Sequence, residues 1–325
     1  MKNKLFLDKR MREEFLDRYI PIPVPYRLVH SRREVERILK EENRDIPISI
    51  ALEMERFSRP AYLVQNNSFD TRNAPSVSEQ INNRMNNAKT LIEQAIPSVG
   101  RINLRNHSRL SWVGTGWIVA KNVLVTNRHV AAKFAGREGD GFVFMQSEKG
   151  ITKALLDTVS EYGSQQEKRY RLREVLWIAP PSEPHDVAFL SIDEESRNDE
   201  KQPDSIELID TTAFEKIDNG HWVAVIGYPS RSNYDDIMDQ QRIFQGIYGV
   251  KRILPGQIKG KNVDTGIVEH DASTLIGSSG GPVLDLTSGK AIALHFGSIP
   301  GNNNIINKAV AAPVIQKLLQ KHVFS

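Results

Sequence analysis

Residues 271–283 read Asp-Ala-Ser-Thr-Leu-Ile-Gly-Ser-Ser-Gly-Gly-Pro-Val, with a serine set between glycines inside an otherwise apolar segment. Glycines beside Ser279 allow a tight loop in which backbone N–H groups face the same point as the hydroxyl. The N–H groups of Gly277 and Ser279 suit the stabilisation of a developing oxyanion. The segment therefore predicts a serine nucleophile with an oxyanion hole, and a glycine- and serine-rich surface turn is the alternative.

Two motifs upstream supply the partners that a serine nucleophile needs. Residues 125–131 read Val-Thr-Asn-Arg-His-Val-Ala and place His129 directly after a predicted strand. Histidine suits a general base because its ordinary pKa lies near neutral pH. Residues 185–192 read His-Asp-Val-Ala-Phe-Leu-Ser-Ile, so that Asp186 opens an apolar run. A carboxylate there is costly to bury unless it is hydrogen-bonded, and an imidazole N–H is a suitable donor.

The order of the three motifs, His129 then Asp186 then Ser279, is more informative than any one of them. Taken singly, a structural histidine and an exposed turn aspartate stay open. The α/β-hydrolases and subtilisins have their triads in other orders. In motif content and spacing, residues 100–325 resemble the bacterial trypsin-like peptidases. This resemblance implies a mainly β, chymotrypsin-like fold of two antiparallel six-stranded β-barrels, with the site in the cleft between them.

The resemblance implies a role for each of these side chains, and elementary chemistry agrees. Ser279 is expected to be the nucleophile, His129 the general base and then acid, and Asp186 the carboxylate that orients the imidazole. The expected activity is that of a serine endopeptidase acting through an acyl-enzyme on a protein or peptide, with no cofactor and no metal. A catalytically silent protease fold used for binding or scaffolding is the alternative.

The resemblance also indicates where the pocket for the P1 residue lies. Ser273 and Thr274 are expected at its base, and neither carries the charge that would select lysine or arginine. Backbone groups of Phe296 and Ser298 are expected to pair with substrate along the other wall. Thr274, His295 and Ser298 are similar to the residues with which glutamyl endopeptidases bind a P1 carboxylate. An acidic P1 residue is one expectation, and a small or aliphatic one, with His295 as a core histidine, is the other.

The chain divides near residue 100 into a helical, charged part and a strand-rich part. We predict a mostly helical N-terminal region over residues 1–75, a helix leading into the protease over 76–99, and the trypsin-like domain over 100–325. Within the first two parts, capping boxes at Ser31 and Ser76 indicate helix starts, and residues 66–78 are polar and typical of a linker. The region 1–75 is expected to regulate the protease or bind a partner, or else to extend the packing of the first barrel.

After residue 100, short β-rich runs alternate with turn residues, a spacing typical of barrels and sandwiches. A two-residue hairpin loop is predicted at residues 121–122. The chain closes with a helix, which Pro313 is suited to start. The predicted strands and closing helix are Trp117–Ala120, Val123–Thr126, Val187–Ile192, Trp222–Ile226, Val283–Asp285, Ala291–Phe296 and Ala312–His322.

Composition excludes several classes of protein. The 325 residues are 39% hydrophobic and 26% charged, which argues against collagen, coiled coils and wholly disordered chains. A net charge of +3 is too small to favour nucleic acid, and the basic cluster at residues 168–173 is expected to be a solvated face. With no cysteine, a disulfide scaffold and thiolate metal ligands are excluded. No apolar run has signal-peptide or membrane-span length, which predicts a cytoplasmic protein without membrane contact.

Overall fold

The computed structural model describes residues 59–73, 79–196, 198–232, 237–300 and 305–324. The predicted capping serines, Ser31 and Ser76, and all of residues 1–58 lie outside these ranges. The described chain is mainly β, with two closed antiparallel barrels and a C-terminal helix, which confirms the predicted fold class.

The described chain begins with a β-hairpin made of β1 (Tyr62–Gln65) and β2 (Ser68–Phe69). Asn66 and Asn67 form its two-residue turn with φ of 53° and 57°, a left-handed conformation that asparagine tolerates. The linker predicted over residues 66–78 was therefore wrong in its described part. Polarity alone suggested a linker, whereas two adjacent asparagines are themselves a hairpin signal.

Two helices follow, α1 (Glu79–Asn87) and α2 (Lys89–Ala95), where the sequence indicated one. Their inward residues recur at helical spacing, since Ile81, Met85, Ile92 and Ala95 are all buried. The break falls at Ala88, after two asparagines whose side chains compete with the helical backbone. A 3₁₀ turn, Ile96–Ser98, then leads into the first barrel.

The first barrel closes in the strand order β10-β11-β12-β5-β4-β3. The predicted turn at residues 121–122 joins β4 to β5, with Asn122 at φ 62°. Apolar side chains from every strand fill the barrel interior, including Ile102, Ile118, Leu124 and Leu156. The elements of this half are β3 (Val99–Arg105), β4 (Trp112–Ala120), β5 (Val123–Thr126), α3 (Arg128–Ala131), β6 (Ala135–Glu138), β7 (Gly141–Phe144), β8 (Gln146–Ser147), β9 (Gly150–Ile151), β10 (Lys153–Asp157), β11 (Arg169–Ile178) and β12 (Ala188–Ile192).

The second barrel has the order β13-β16-β17-β18-β15-β14 and closes through pairing of β13 with β14. The hairpin adds to its outside, because Tyr62 and Leu63 of β1 pair with Ile253 and Arg252. The closing helix has the predicted bounds. The elements of this half are α4 (Thr211–Glu215), β13 (Trp222–Gly227), α5 (Ile237–Phe244), β14 (Arg252–Asn262), β15 (Ile267–His270), β16 (Pro282–Asp285), β17 (Ala291–Pro300), β18 (Ile305–Ala311) and α6 (Ala312–His322).

A fully buried lysine fastens the two barrels together. Lys251, at the start of the second barrel's long strand, donates from Nζ to the carbonyls of Ile96 and Thr158, over 2.8 and 2.6 Å. Its Nζ also lies 3.6 Å from Glu161 Oε1. Desolvation lowers the pKa of Lys251 to about 8, even though Glu161 opposes that shift. These bonds fix the edge of the first barrel against β14 and so set the cleft between the barrels.

Candidate active site

His129 and Asp186 are held against each other by two hydrogen bonds. His129 is the second residue of α3, and its Nδ1 lies 2.5 Å from Asp186 Oδ2. Its backbone N–H donates to Asp186 Oδ1 over 3.0 Å. The two residues are 57 positions apart. They meet because β5, which ends shortly before His129, is paired in the first barrel with β12, which begins shortly after Asp186. One carboxylate thus fixes both the backbone and the ring of His129, and it leaves Nε2 as the nitrogen for proton transfer.

The two residues before His129 hold the loop that carries Asp186. Asn127 Nδ2 donates to the Asp186 carbonyl over 2.9 Å. Arg128 Nη1 donates to the carbonyls of Pro180 and Glu183, each over 2.9 Å. The side chains of three consecutive residues, Asn127, Arg128 and His129, therefore hold residues 180–186 by hydrogen bonds. The sequence motif contains Asn127 and Arg128, but nothing in it distinguishes their positioning task from that of surface residues.

The loop around Ser279 requires glycine at two positions, one before the serine and one after it. Gly277 has φ 95°, and a Cβ there would lie 2.4 Å from the Tyr228 carbonyl oxygen. Gly280 has φ 89°, and a Cβ there would lie 2.0 Å from the Thr115 carbonyl oxygen. Any side chain at either position would collide with backbone and adopt a disfavoured φ. The two glycines therefore let the loop pack directly against the backbone of Tyr228, after β13, and of Thr115 in the first barrel.

The predicted oxyanion donors make no hydrogen bond within the described ranges. Ser278 N–H donates to the Leu275 carbonyl over 3.0 Å. The N–H groups of Gly277 and Ser279, in contrast, have no acceptor in the part of the chain that the structure describes. Ser278 itself is fully buried, and its Oγ also lacks a partner among the described residues. Two free backbone N–H groups beside Ser279 are the donors that a developing oxyanion needs.

Ser279 Oγ donates to the Phe296 carbonyl over 3.3 Å, and no hydrogen bond joins it to His129 within the described ranges. The loop around Ser279 nevertheless lies next to α3, the helix that carries His129. A Cβ at Gly114 would meet both Val130 Cγ2, at 3.0 Å, and the Ser279 carbonyl, at 3.1 Å. Catalytic hydrogen bonds often tighten only once substrate is bound. Proton transfer therefore requires Ser279 Oγ to turn from Phe296 towards His129.

Thr115 holds the same loop from the first barrel, a role that sequence reasoning missed. Its Oγ1 donates to the Gly277 carbonyl over 2.7 Å and accepts the Tyr228 N–H over 3.2 Å. Its backbone N–H donates to the Ser279 carbonyl over 2.9 Å. Thr115 thus fixes the carbonyls on both sides of Ser278. The only sequence signal is its place between Gly114 and Gly116, which does not indicate a task for the hydroxyl.

The residues predicted at the pocket base are fastened by two distant partners. Ser273 Oγ donates to the Arg59 carbonyl over 3.2 Å. Thr274 Oγ1 donates to Asn307 Oδ1 over 2.7 Å, and Asn307 Nδ2 donates to the Ala272 carbonyl over 2.6 Å. Arg59 and Asn307 were not predicted, because hydrogen bonds between residues this far apart leave no local pattern.

His295 lies buried behind this base, in contact with a second buried histidine that the sequence analysis did not single out. Its Nδ1 is 3.2 Å from His270 Nε2. Desolvation lowers the pKa of His270 to about 4. Desolvation, with the charges of His270 and His129, lowers the pKa of His295 well below its usual value. Both imidazoles are therefore neutral near pH 7.

The hydrogen bonds assign the tautomers of this histidine pair. The Ala272 N–H donates to His270 Nδ1 over 3.3 Å, so the His270 proton sits on Nε2. That proton is donated to His295 Nδ1, which leaves the His295 proton on Nε2. Neutral His295 therefore carries a donor on the nitrogen that faces away from His270.

The predicted substrate wall lies on β17. The Phe296 carbonyl accepts from Ser279 Oγ, and the register of the β17–β18 pairing shifts at Phe296, between His295 and Gly297. The backbone of Ser298 pairs with Asn307, while its side chain lies outside what the structure describes. Of the expected pocket residues, His295 is thus linked to the segment of Ser273 and Thr274 through His270, which accepts the Ala272 N–H.

Other kinds of site were sought in the described ranges. There, no group of three or more histidine, aspartate or glutamate side chains could hold a metal ion. Nor is any helix in those ranges long and apolar enough to cross a membrane. In the basic cluster Tyr170 is buried, and three of the cations are paired with carboxylates. These ion pairs are Lys168–Glu200, Arg169–Asp157 and Arg173–Asp193.

Comparison with known proteins gives a matching family. A profile described as the trypsin-like peptidase domain matches residues 114–294. A solved structure of Rv3671c from M. tuberculosis H37Rv, a serine-to-alanine mutant in an inactive form, is similar with 19% identity and a TM-score of 0.44, over 72% of this chain and 91% of that one. The HtrA-type protease AlgW with a decapeptide has 17% identity and a TM-score of 0.48, over 73% of this chain and 67% of that one. No curated protein sequence matches.

Proposed function

The chain belongs to the trypsin-like peptidase family, and on that premise we propose that it is a serine endopeptidase with Ser279, His129 and Asp186 as its catalytic residues. The observation that carries the proposal is the double attachment of His129 to one carboxylate, through Nδ1 and through its backbone N–H. A structural histidine needs no such alignment, whereas a general base must present one fixed nitrogen to the nucleophile.

The proposed reaction begins when Ser279 Oγ attacks the substrate carbonyl carbon and passes its proton to His129 Nε2. The negative charge that forms on the carbonyl oxygen is met by the N–H groups of Gly277 and Ser279, which have no acceptor in the described chain. The imidazolium then protonates the leaving amine, and an acyl-enzyme remains on Ser279. Water, deprotonated by His129, attacks the ester carbonyl, and the released Oγ regains a proton from the same imidazole.

For the P1 residue we propose glutamate or aspartate. The support is the donor set at the pocket base. Thr274 supplies a hydroxyl, which turns from Asn307 Oδ1 to the carboxylate when such a substrate binds, and the His295–His270 hydrogen bond leaves an N–H on His295 Nε2. A carboxylate that accepts from both gains charge-assisted bonds, which are stronger than neutral ones. The alternative is a small or aliphatic P1 residue, for which Thr274 stays bonded to Asn307 and His295 stays bonded to His270.

The test is cleavage of a mixed-sequence peptide library by the purified full-length protein. Cuts that disappear in Ser279→Ala and persist in Ser164→Ala identify the nucleophile. Ser164 is a matched control because it is a loop serine whose Oγ, among the described residues, accepts just the Gln166 N–H, over 3.2 Å. Cleavage by both variants at the same bonds would refute the proposal. If neither the parent protein nor the form lacking residues 1–58 cleaves any peptide, the silent binding fold is favoured.

The same library reads out the pocket. With an acidic P1 pocket, cleavage after Glu exceeds cleavage after Leu in the parent protein, and His295→Ala removes that excess. Equal cleavage after Glu and Leu by the parent protein would overturn the acidic assignment without touching the triad.

We also propose that the region before the hairpin regulates the protease or tethers it to a partner. Its charge and the helix start that its sequence indicates support this. The hairpin that follows it pairs with a strand of the second barrel, which also supports it. A deletion that tests it must end at residue 58, because residues 62–65 pair with β14. Unchanged activity and unchanged partners after deletion of residues 1–58 would refute this proposal.

A further inference from the structure

Arg59 is a buried cation that nothing in the proposed reaction uses. It is 1% exposed, and its Nη2 and Nε donate to the two oxygens of Asp271, over 2.8 and 3.2 Å. Nη2 also donates to Gln257 Oε1 over 3.0 Å, and the guanidinium lies 4.7 Å from the Trp222 ring centroid. Burial of a guanidinium is costly unless it is well paired, so this side chain has one well-defined position.

Asp271, the partner of Arg59, begins the segment that runs through the pocket base to Ser279. Its Oδ1 also accepts the Gln257 N–H over 2.6 Å, and its Oδ2 lies 2.9 Å from Lys259 Nζ. Burial acts to raise the pKa of Asp271, but the charge and hydrogen bonds of Arg59 hold it below its usual value. Asp271 is therefore ionised, and it anchors the beginning of the pocket segment.

The contacts of this segment alternate between two clamps. The side chains of Asp271 and Ser273 bond to Arg59, one to its guanidinium and one to its carbonyl. The Ala272 carbonyl and the Thr274 hydroxyl both bond to Asn307. The Thr274 N–H donates to the Ala272 carbonyl over 2.9 Å, so the segment turns tightly here, and Arg59 holds residues 271 and 273 while Asn307 holds residues 272 and 274.

We infer that Arg59 is a positioning residue of the P1 pocket, one clamp of the segment that forms its base, opposite Asn307. Residues from 59 onwards are then part of the catalytic unit, although Arg59 is 212 positions from Asp271. Replacement of the Arg59 side chain removes the guanidinium bonds to Asp271, while the carbonyl of residue 59 still accepts from Ser273 and residues 272 and 274 stay bound to Asn307. The start of the pocket base then loosens at Asp271, and Ser279 keeps its other contacts. The effect on substrate selection rests on the proposed function, whereas the clamp itself does not.

The first test is hydrogen–deuterium exchange in the full-length protein, which needs no activity. In Arg59→Met, amides 271–276 are expected to exchange at least about tenfold faster, because their local opening becomes easier. Arg84→Met is the matched control. Arg84 lies over the same Trp222 ring, 5.2 Å from its centroid, and makes no contact with Asp271 in the described chain. Unchanged exchange in Arg59→Met, or equal acceleration in Arg84→Met, overturns the inference.

A milder variant keeps the inference testable if Arg59→Met does not fold. Ser273→Ala removes only the bond to the Arg59 carbonyl, and we expect faster exchange at amides 273–276 without loss of the folded state. Arg59→Lys keeps the charge but loses the two-point geometry, so its exchange should fall between those of the parent protein and Arg59→Met. No acceleration in Ser273→Ala contradicts the inference.

The second test separates binding from chemistry. In Arg59→Met, a small fluorophosphonate that makes no P1 contact should label Ser279 within about threefold of the parent rate, while KM for the preferred peptide rises about tenfold. A fall in kcat and labelling with unchanged KM overturns the pocket role. If the parent protein neither labels nor cleaves, the proposed function fails, and the exchange experiment still decides whether Arg59 clamps the segment.

Discussion

Replacement of Thr115 by valine isolates what its hydroxyl does for the nucleophile loop. Valine keeps the shape of the side chain and removes the hydroxyl. The hydroxyl proton is donated to the Gly277 carbonyl over 2.7 Å, and the hydroxyl oxygen accepts the Tyr228 N–H over 3.2 Å. A methyl group can do neither. Because Thr115, Gly277 and Tyr228 are all buried, a carbonyl and an N–H lose their partners in a place that water does not reach.

The expected magnitude follows from these two groups. Each buried polar group left without a partner costs about 1–3 kcal/mol, so the free energy of unfolding should fall by about 2–6 kcal/mol. The peptide after Gly277 also loses the bond that fixes its orientation beside the proposed oxyanion hole. Loss of one such donor lowers kcat about 100- to 1,000-fold, which sets the upper range of the effect on turnover.

The assay combines urea unfolding with peptide hydrolysis. Thr115→Ser should restore both quantities, because serine keeps the hydroxyl. Thr152→Val is the control, since Thr152 is a buried threonine whose Oγ1 has no partner in the described chain. Its removal should leave stability unchanged or slightly higher. A Thr115→Val protein that loses stability and keeps the parent kcat would refute the reasoning that ties this hydroxyl to the oxyanion loop.

Three further outcomes are expected. Asp186→Asn should lower kcat about 10⁴-fold with a small change in Tm, because the imidazole loses the partner that sets its tautomer; an unchanged kcat would remove Asp186 from the triad. Between pH 6.5 and 4.5 only the unfolded chain protonates His270, whose folded pKa is about 4. The titration of His270 should therefore remove about 2–3 kcal/mol from the free energy of unfolding over this range, His295 adds to the loss because its pKa is also lowered, and His270→Gln should reduce the slope by the share of His270. Thr274→Val should reduce cleavage after Glu and spare cleavage after Leu, whereas an equal loss at both would argue against a hydroxyl donor to the P1 carboxylate.

The parts of the fold and site that the sequence predicted are those that depend on neighbouring residues. Strand runs, the turn at residues 121–122 and the closing helix are local patterns. His129, Asp186 and Ser279 each stand at the edge of such a pattern, which made them visible as candidates. The break at Ala88 was missed because apolar spacing continues across it, and the backbone competition of asparagine is a weaker signal than periodicity.

What the sequence left out consists of contacts between distant positions. Thr274 and Asn307 are 33 residues apart, and Thr115 and Gly277 are 162 residues apart. Their partners are chosen by the register of paired strands, which a single sequence does not specify. Arg59 is the clearest case, because nothing around it suggested a partner more than two hundred positions away.

The long separation between the hairpin and its partner strand has a consequence for the newly made chain. Ala61 and Arg252, which bond across that pairing, are 191 residues apart. At about 5–20 residues per second, the ribosome needs about 10–40 seconds to synthesise the segment between them. Through that interval Tyr62, Leu63 and Val64 are an apolar strand with no sheet to join, the kind of segment that holdase chaperones recognise. The first strand of the described chain to emerge is thus among the last to pair with its barrel.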